Sequence, residues 1–540
     1  MANIDFANRN IASHFNDIQF DISWDNSWRI SAGAANWDAV WVFAKYRIDG
    51  GTSCANGPTW KHCTLSTTAT DHSVTTNNGV GATITPSSDG KGVFMYRSGN
   101  GNGSINWQQV LLQWNYGTDG LADNCLVTVN IYAIEMVYIP TGNFYLGDGA
   151  TAGIDGQLTA GTASTASYQI TSEASVTLGG AGGNIGNNNA TGQSSADDFN
   201  TATQKTLPAA WPKGYSQFYI MKNECSNEQY SEFLNTLTPT QQASRFPATT
   251  TANPFNKAGV AGNTPSLRNG VKLITAAVAT TPAVFACDLN NNGTTNENTN
   301  PGDGMYIAYA GGSVPDMLAY LDWSGLRPMT EFEYEKACRG PVYPIPGEYA
   351  WGTTGIYAGS YLSAGNPLNP GQDIEVANSP SAALGNCTYS TTLGGSGAFG
   401  PLRCGIHGTA TTTRVTSGQT YFGVNDMSGN LFEMVLSCGC VAGRSYTANH
   451  GNGALNANGD ADVDFWPGIN GNTLNTSTNN AYAGATGCTQ SAGMGLKGGS
   501  HNAATWLDVS NRTWISWNPG NSRDGANNCR IGIRGTRTAP

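Results

Sequence analysis

The sequence predicts an α+β protein: an N-terminal all-β sandwich over residues 1–134, followed by a larger, loop-rich region over 135–540 with few helices. Three observations lead there. Short apolar and aromatic runs alternate with Gly/Asn turn clusters up to about residue 134, helical spacing appears only after Glu135, and 69 glycines accompany a charged fraction of only 12% in 540 residues. That charged fraction is about half the usual ~25%, and the short side chains of Gly, Asn, Thr and Ser that replace it favour turns and loops. With 14 Trp, 22 Tyr and 17 Phe the chain can still bury a sizeable core, so it is neither disordered nor mainly helical.

Taken in order, the runs FDISWDNSWRI (20–30), WDAVWVFAKYRI (37–48), GVFMYRS (92–98), VLLQWNYG (110–117) and CLVTVNIYAIEM (125–136) are rich in Val, Ile, Trp and Tyr and bounded by turn residues, which predicts strands. Trp24, Trp28, Trp37 and Trp41 read as core and sheet-face residues rather than a ligand platform. Beyond Glu135, Ser226 opens SNEQYSEFLNTL, with Tyr230, Phe233 and Leu234 at helical spacing, and Pro315 opens PDMLAYLDW as a first-turn proline. Thr330 and Glu333 form a capping box for TEFEYEKACRG, and Gly340 supplies the stop. The polar stretches 178–204, 288–304 and 450–488 predict large surface loops of a functional or decorative kind.

Lys and Arg number 26 against 37 Asp and Glu, a net charge of −11 without any basic cluster, which argues against nucleic-acid binding. No run of about 18 apolar residues suggests a membrane span. The opening MANIDFANRN lacks the basic start and apolar stretch of a secretory signal, which leaves a cytosolic chain, a removed signal or another export route. The twelve cysteines show no CxxC pair, so structural zinc has little support. Cys54 with Cys63, and Cys387 with Cys404, bracket short loops and are candidates for local disulfides in an oxidising compartment; buried free thiols are the equal alternative.

Seven segments past residue 134 come in a telling order: EMVYIPTGNFYLGD (135–148), FYIMKNECSNEQYSEFL (218–234), SGLRPMTEFEYEKACRG (324–340), EYAWG (348–352), GVNDMSGNLFEMV (423–435), LKGGS (496–500) and RIGIRGTR (530–537). Together they resemble the formylglycine-generating enzyme, or sulfatase-modifying factor, family, whose fold is a variant of the C-type lectin fold. The resemblance implies an irregular α+β domain, but not an activity, because the fold carries oxidases, sulfoxide synthases and binding proteins. Where the family's oxidase has two copper-binding cysteines, this chain has Ala503 and Asp508. Without thiolates there is neither a soft copper site nor a nucleophile. The sulfoxide-synthase branch needs a histidine-rich iron site on an added helical bundle, whereas the histidines here are scattered at 14, 62, 72, 407, 450 and 501. A catalytically silent member, without copper or iron, is therefore expected.

The same resemblance implies a structural calcium site in DMSGNLFE, held by the side chains of Asp426 and Glu433 and the carbonyls of Gly429 and Leu431. The alternative is a simple turn with Glu433 paired to a basic residue. A second, weaker calcium candidate is DLNNNGTTNEN, with Asp288, Asn290 and Asn292 alternating before Gly293; Thr299 stands where a bidentate Glu is wanted, and a solvated loop fits equally. No G-x-S-x-G elbow, Walker loop, HExxH or lectin sugar triplet occurs, and Asp322 and Glu331 read as capping or pairing groups rather than an acid and a base.

The stretch 498–537 interleaves small polar residues with tryptophans, in the place where a retroelement-diversified subset of this fold carries its variable binding residues. His501, Asn502, Thr505, Trp506, Trp514, Trp517, Asn521 and Asn527 are the candidate ligand-binding residues, a mixture of rigid aromatic area and adaptable polar groups. The alternative places the three tryptophans in the core. The expected function is a non-catalytic ligand- or receptor-binding surface protein of adhesin or phage receptor-binding type, extracellular or on a virion. Its expected partner is a cell-surface or host receptor, protein or glycan, and the N-terminal domain would attach or self-associate. A structural subunit of an extracellular or virion assembly is the alternative, and a metal-dependent oxidase using His407 and His501 a third reading.

Overall fold

The computed structural model describes residues 1–149, 154–163, 165–187, 192–245, 268–358, 367–390, 400–469, 493–503, 505–516 and 530–540. The N-terminal runs form long antiparallel strands in two sheets. The first sheet is ordered Ala2–Asn10, Phe15–Arg29, Gly101–Trp114 and His72–Asn77. The second runs from Ala82–Pro86 through Val93–Arg97, Asp38–Gly51 and Cys125–Ile139 to Phe218–Met221 and Thr536–Thr538, with Lys61–His62 beside Asp38–Gly51. Between them Ile18, Phe20, Ile22 and Trp107 meet Val40, Val42, Tyr46 and Met95 in one apolar cluster, the core of the expected sandwich.

The strand Asp38–Gly51 is buried without interruption from Asp38 to Tyr46. Side chains alternate faces along a strand, so its even-numbered residues, Val40, Val42, Ala44 and Tyr46, line the sandwich core. Its odd-numbered Ala39, Trp41 and Phe43 join a second core with Met317, Leu321 and Trp323 of helix Val314–Trp323. Both faces being covered explains why WDAVWVFAKYRI shows no polar alternation. The Trp41 indole N–H donates to Ser324 O at 2.8 Å, and the Lys45 ammonium donates to Trp323 O and Gly453 O, each at 2.6 Å. Position 134/135 falls inside the strand Cys125–Ile139. Met136 and Val137 there pair with Ala39 and Asp38 on one side and with Met221 and Ile220 on the other. The N-terminal and C-terminal regions thus share one continuous sheet.

The three expected helices form where their caps place them. Asn227–Asn235 follows a Ser226/Gln229 capping box, Val314–Trp323 follows Ser313 with Pro315 in its first turn, and Glu331–Arg339 follows Thr330/Glu333 and ends at Gly340, φ +66°. Every residue of the last two is buried, and most of their charges are in ion pairs, while the Lys336 ammonium donates to Tyr215 O at 3.0 Å. Arg327 grips Glu333 through its two terminal guanidinium nitrogens at 2.6 and 3.0 Å, and Arg512 Nε meets Glu331 at 2.7 Å. Asp322 accepts the backbone N–H of Asn452 and Asp462, so both acids anticipated as capping or pairing groups do that.

The cysteine expectations need correcting. Cys54 is bonded to Cys125, not Cys63, because the register sets Gly51 opposite Cys125 and brings the two Cα atoms to 5.4 Å. Cys63 is a buried thiol in the sandwich core, and Cys387 and Cys404 are also free thiols; burial pushes all three well above the ordinary thiol range. Cys440 is disulfide-bonded. Among the described residues, no helix is long and apolar enough to cross a membrane.

Candidate functional site

The Gly-Gly-Ser turn and the DMSGNLFE turn are built against each other. Strand Glu433–Leu436 pairs antiparallel with Met494–Lys497, and the chain then turns through Gly498 and Gly499, both with positive φ. A Cβ at Gly498 would lie 2.7 Å from the Met427 carbonyl oxygen, so glycine there lets the two turns approach, and one at Gly499 would meet the Leu507 side chain at 2.5 Å. The contact is sealed by Gly429 N–H to Gly498 O and His501 N–H to Asn430 O, both 2.7 Å, and by Ser428 Oγ–H to Leu507 O at 2.8 Å.

On this platform Ala503 is fully buried and offers only a methyl group. Asp508 is half-buried, and desolvation, with Asp148 and Asp155 adding like charge, pushes its carboxyl up to about 6. Cys387 shares a small apolar cluster with Trp351, Tyr389 and Leu507, where its buried thiol stays protonated. His407 is buried, and desolvation followed by the Arg403 charge lowers it to about 3, so it is neutral at any physiological pH. Among the described residues, no group of three or more His, Cys, Asp or Glu side chains converges as a metal cluster.

The DMSGNLFE turn contains left-handed residues at Asp426, Gly429 and Asn430. Asp426 Oδ2 accepts Gly405 N–H at 2.6 Å, and Glu433 Oε1 accepts Arg534 Nε–H at 2.7 Å, in a fully buried ion pair. Glu433 Oε2 is buried without a donor, and no donor among the described residues reaches the carbonyls of Gly429 and Leu431. Among the described residues, each of the four oxygen groups that the resemblance implies for calcium thus retains an unclaimed atom, Oδ1 in the case of Asp426. The DLNNNG loop differs: Asp288 is engaged by the Lys272 ammonium and by Asn292 N–H at 3.1 Å, while the Asn290 and Asn292 carboxamide oxygens accept backbone N–H groups of the loop itself.

A family model for the sulfatase-modifying factor enzyme 1-like domain matches residues 128–534. The chain belongs to that family. No curated protein matches the chain. The match begins inside the strand Cys125–Ile139, so the sulfatase-modifying factor domain takes its first strand from the sheet it shares with the N-terminal sandwich.

Within this family member, the expected binding residues are dispersed in depth. His501 is buried, Asn502 is half-buried and Thr505 is exposed. Trp506 and Trp514 are half-buried, meet edge to face at 5.2 Å, and pack against the main core, so each contributes both to the core and to the surface. Trp506 has φ +71°, a strained setting for a bulky residue. Trp517, Asn521 and Asn527 lie outside the described residues.

The sequence reading missed Glu224 and Arg534. Glu224 accepts Leu431 N–H at 2.9 Å and the Asn430 carboxamide; burial, then the charges of Glu433 and Asp426, raise it well above the ordinary carboxylate range. Arg534 also donates to Met221 O at 2.7 Å and Asn425 O at 2.9 Å, closing the cluster from the segment just before the last strand, Thr536–Thr538. The available signal was a charged residue directly between the apolar FYIM run and the Ser226 cap.

Proposed function

We propose that this member of the family is a non-catalytic binding protein of an extracellular surface or virion, which holds a cell-surface or host receptor, protein or glycan, on the face built over the Gly-Gly-Ser turn. One observation carries the reading: the two positions of the family's copper thiols are a sealed alanine, Ala503, and a carboxylic acid, Asp508. A hard, half-buried carboxyl does not hold copper(I) or attack a substrate sulfur. The partly exposed Trp506 and Trp514, with Asn502 and Thr505 beside them, suit recognition by aromatic anchors with adaptable polar groups. Calcium fits the DMSGNLFE turn as a pin. Glu433 Oε2, the Gly429 and Leu431 carbonyls and Asp426 are hard oxygen donors, and the ion would fix the turn whose Asn430 carbonyl accepts the His501 N–H.

The test is a copper titration of the purified protein together with an oxygen-consumption assay on a cysteine-containing peptide. The expected result is no stoichiometric copper and no turnover; either one would overturn the reading. A structural-subunit role draws support from the edge strand Ala2–Asn10, where Ile4 and Phe6, followed by Ile11, are 46%, 38% and 57% exposed. Sedimentation that shows concentration-dependent polymers, lost on Phe6→Lys, would favour that second reading.

A further inference from the structure

A cleft of about 800 Å³ opens between the N-terminal sandwich and helix Asn227–Asn235, distinct from both the DMSGNLFE turn and the face over the Gly-Gly-Ser turn. Its two walls are chemically unlike. Ile22, Trp24 and Ile131 supply an apolar wall from the sandwich, whereas Glu228 and Glu232 stand one turn apart on the helix, with Asp373 across from them. The other charged groups at the cleft are Glu135, which pairs with Lys222 at 2.7 Å, Glu224, which faces Asn430 and Leu431, Arg403, whose Nε–H donates to the backbone carbonyl of Glu375 at 2.8 Å, and the Met1 ammonium. Among the described residues, the carboxylates of Glu228, Glu232 and Asp373 make no ion pair and no hydrogen bond, and Asp373 bonds only through its backbone N–H, to the Asn298 carboxamide.

We propose that this cleft binds an aliphatic ammonium group on an apolar stem, carried by a free diamine or polyamine or by a lysine side chain of a partner. The methylene stem lies along the apolar wall while the ammonium faces the carboxylates, the division of labour that long cationic side chains adopt at mixed surfaces. A concave site of this volume with few convergent polar groups has the form of a ligand pocket. Desolvation in the cleft, then the Glu228 charge, pushes Glu232 up to about 7, against the opposing pull of the Met1 ammonium; Glu228 is raised by burial against the same pull. A bound ammonium favours the charged form of both acids, and Glu232 takes up a proton as pH falls through 7, so binding weakens from pH 8 to 6.

Calorimetric titration of the full chain at low salt tests this, with 1,6-diaminohexane, a short acetylated lysine peptide and the neutral 1,6-hexanediol as probes. The expected result is binding of the diamine, the lysine peptide or both, no binding of the diol, and a loss of roughly tenfold in affinity in Glu228→Gln and in Glu232→Gln. The diamine alone assigns a free amine, and the peptide alone a partner's lysine. Both helix positions reach solvent, so a circular dichroism melt of each variant verifies the fold. No binding by either amine at millimolar concentration, equal binding of the diol, or unchanged affinity in the double variant with its melt intact would overturn the proposal. Those outcomes leave the reading of the Gly-Gly-Ser face untouched, because the two sites share no residue.

Discussion

Trp41→Ala should destabilise the N-terminal and C-terminal regions together, because Trp41 lies on the face of the shared strand that the C-terminal core covers. Three losses meet at this side chain. Emptying a fully buried tryptophan costs about 3–5 kcal/mol in transfer and cavity terms. The Ser324 carbonyl loses its 2.8 Å indole donor, worth about 1 kcal/mol. Arg537, whose guanidinium sits 4.4 Å from the ring centroid, loses an aromatic face worth about 0.5–2 kcal/mol. The losses share one site and do not add fully, so a total of about 4–6 kcal/mol is expected. Trp41→Phe keeps most of the buried area and loses the N–H, so it should cost only about 1–2 kcal/mol. The assay is urea unfolding followed by near-ultraviolet circular dichroism, with hydrogen exchange read separately in the strand Gly101–Trp114 and the helix Val314–Trp323. If Trp41→Ala produced two separated transitions, with exchange in one element unchanged, the shared sheet would not be the cooperative unit argued here.

Arg534→Met should cost about 3–5 kcal/mol, because it leaves Glu433 buried without its cation; urea denaturation checks it, and a loss under 1 kcal/mol would contradict the pairing. Asp508, raised to about 6 when folded, contributes stability that is complete below about pH 4 and is lost as pH rises through 6. Asp508→Asn should therefore flatten the stability profile between pH 4 and 7, and an unchanged slope would refute the assignment. Removing calcium with a chelator should lower the melting temperature reversibly, and Glu433→Gln should abolish that sensitivity; a chelator-insensitive melt of protein with verified bound calcium would place the ion elsewhere.

The helices were readable because their signals are local. Ser226, Pro315, Thr330 and Gly340 each act on the chain within one turn, and the structure uses each in the expected role. The strands first inferred share β-branched and aromatic content, whereas Ala2–Asn10 and His72–Asn77 escaped notice because they lie at the edges of the first sheet and read ANIDFANRN and HSVTTN, mostly polar and exposed. An edge strand needs only one paired neighbour and half a buried face, so its composition approaches that of a loop. The Cys54–Cys125 bond was hidden for a related reason: it joins residues 71 apart in sequence, and register, not spacing, makes them neighbours.

Where the sequence reading fell short at the site, the missing information was a partner far along the chain. Glu433 alone suggested either a calcium ligand or one half of an ion pair, and the structure makes its two oxygens unequal: Oε1 is held by Arg534, 101 residues later, while Oε2 has no donor. The ion pair therefore leaves one oxygen of the carboxylate available to the calcium ion proposed above. Arg534 also satisfies the carbonyls of Met221 and Asn425, so it ties the strand Phe218–Met221, beside Cys125–Ile139 in the sheet, to the turn that bears the Gly-Gly-Ser contact. Strand Phe218–Met221 hydrogen-bonds directly to Cys125–Ile139, which in turn pairs with the strand that carries Trp41. A continuous set of buried contacts therefore links the sandwich to the Gly-Gly-Ser turn, and loosening either end should be felt as lost rigidity at the other.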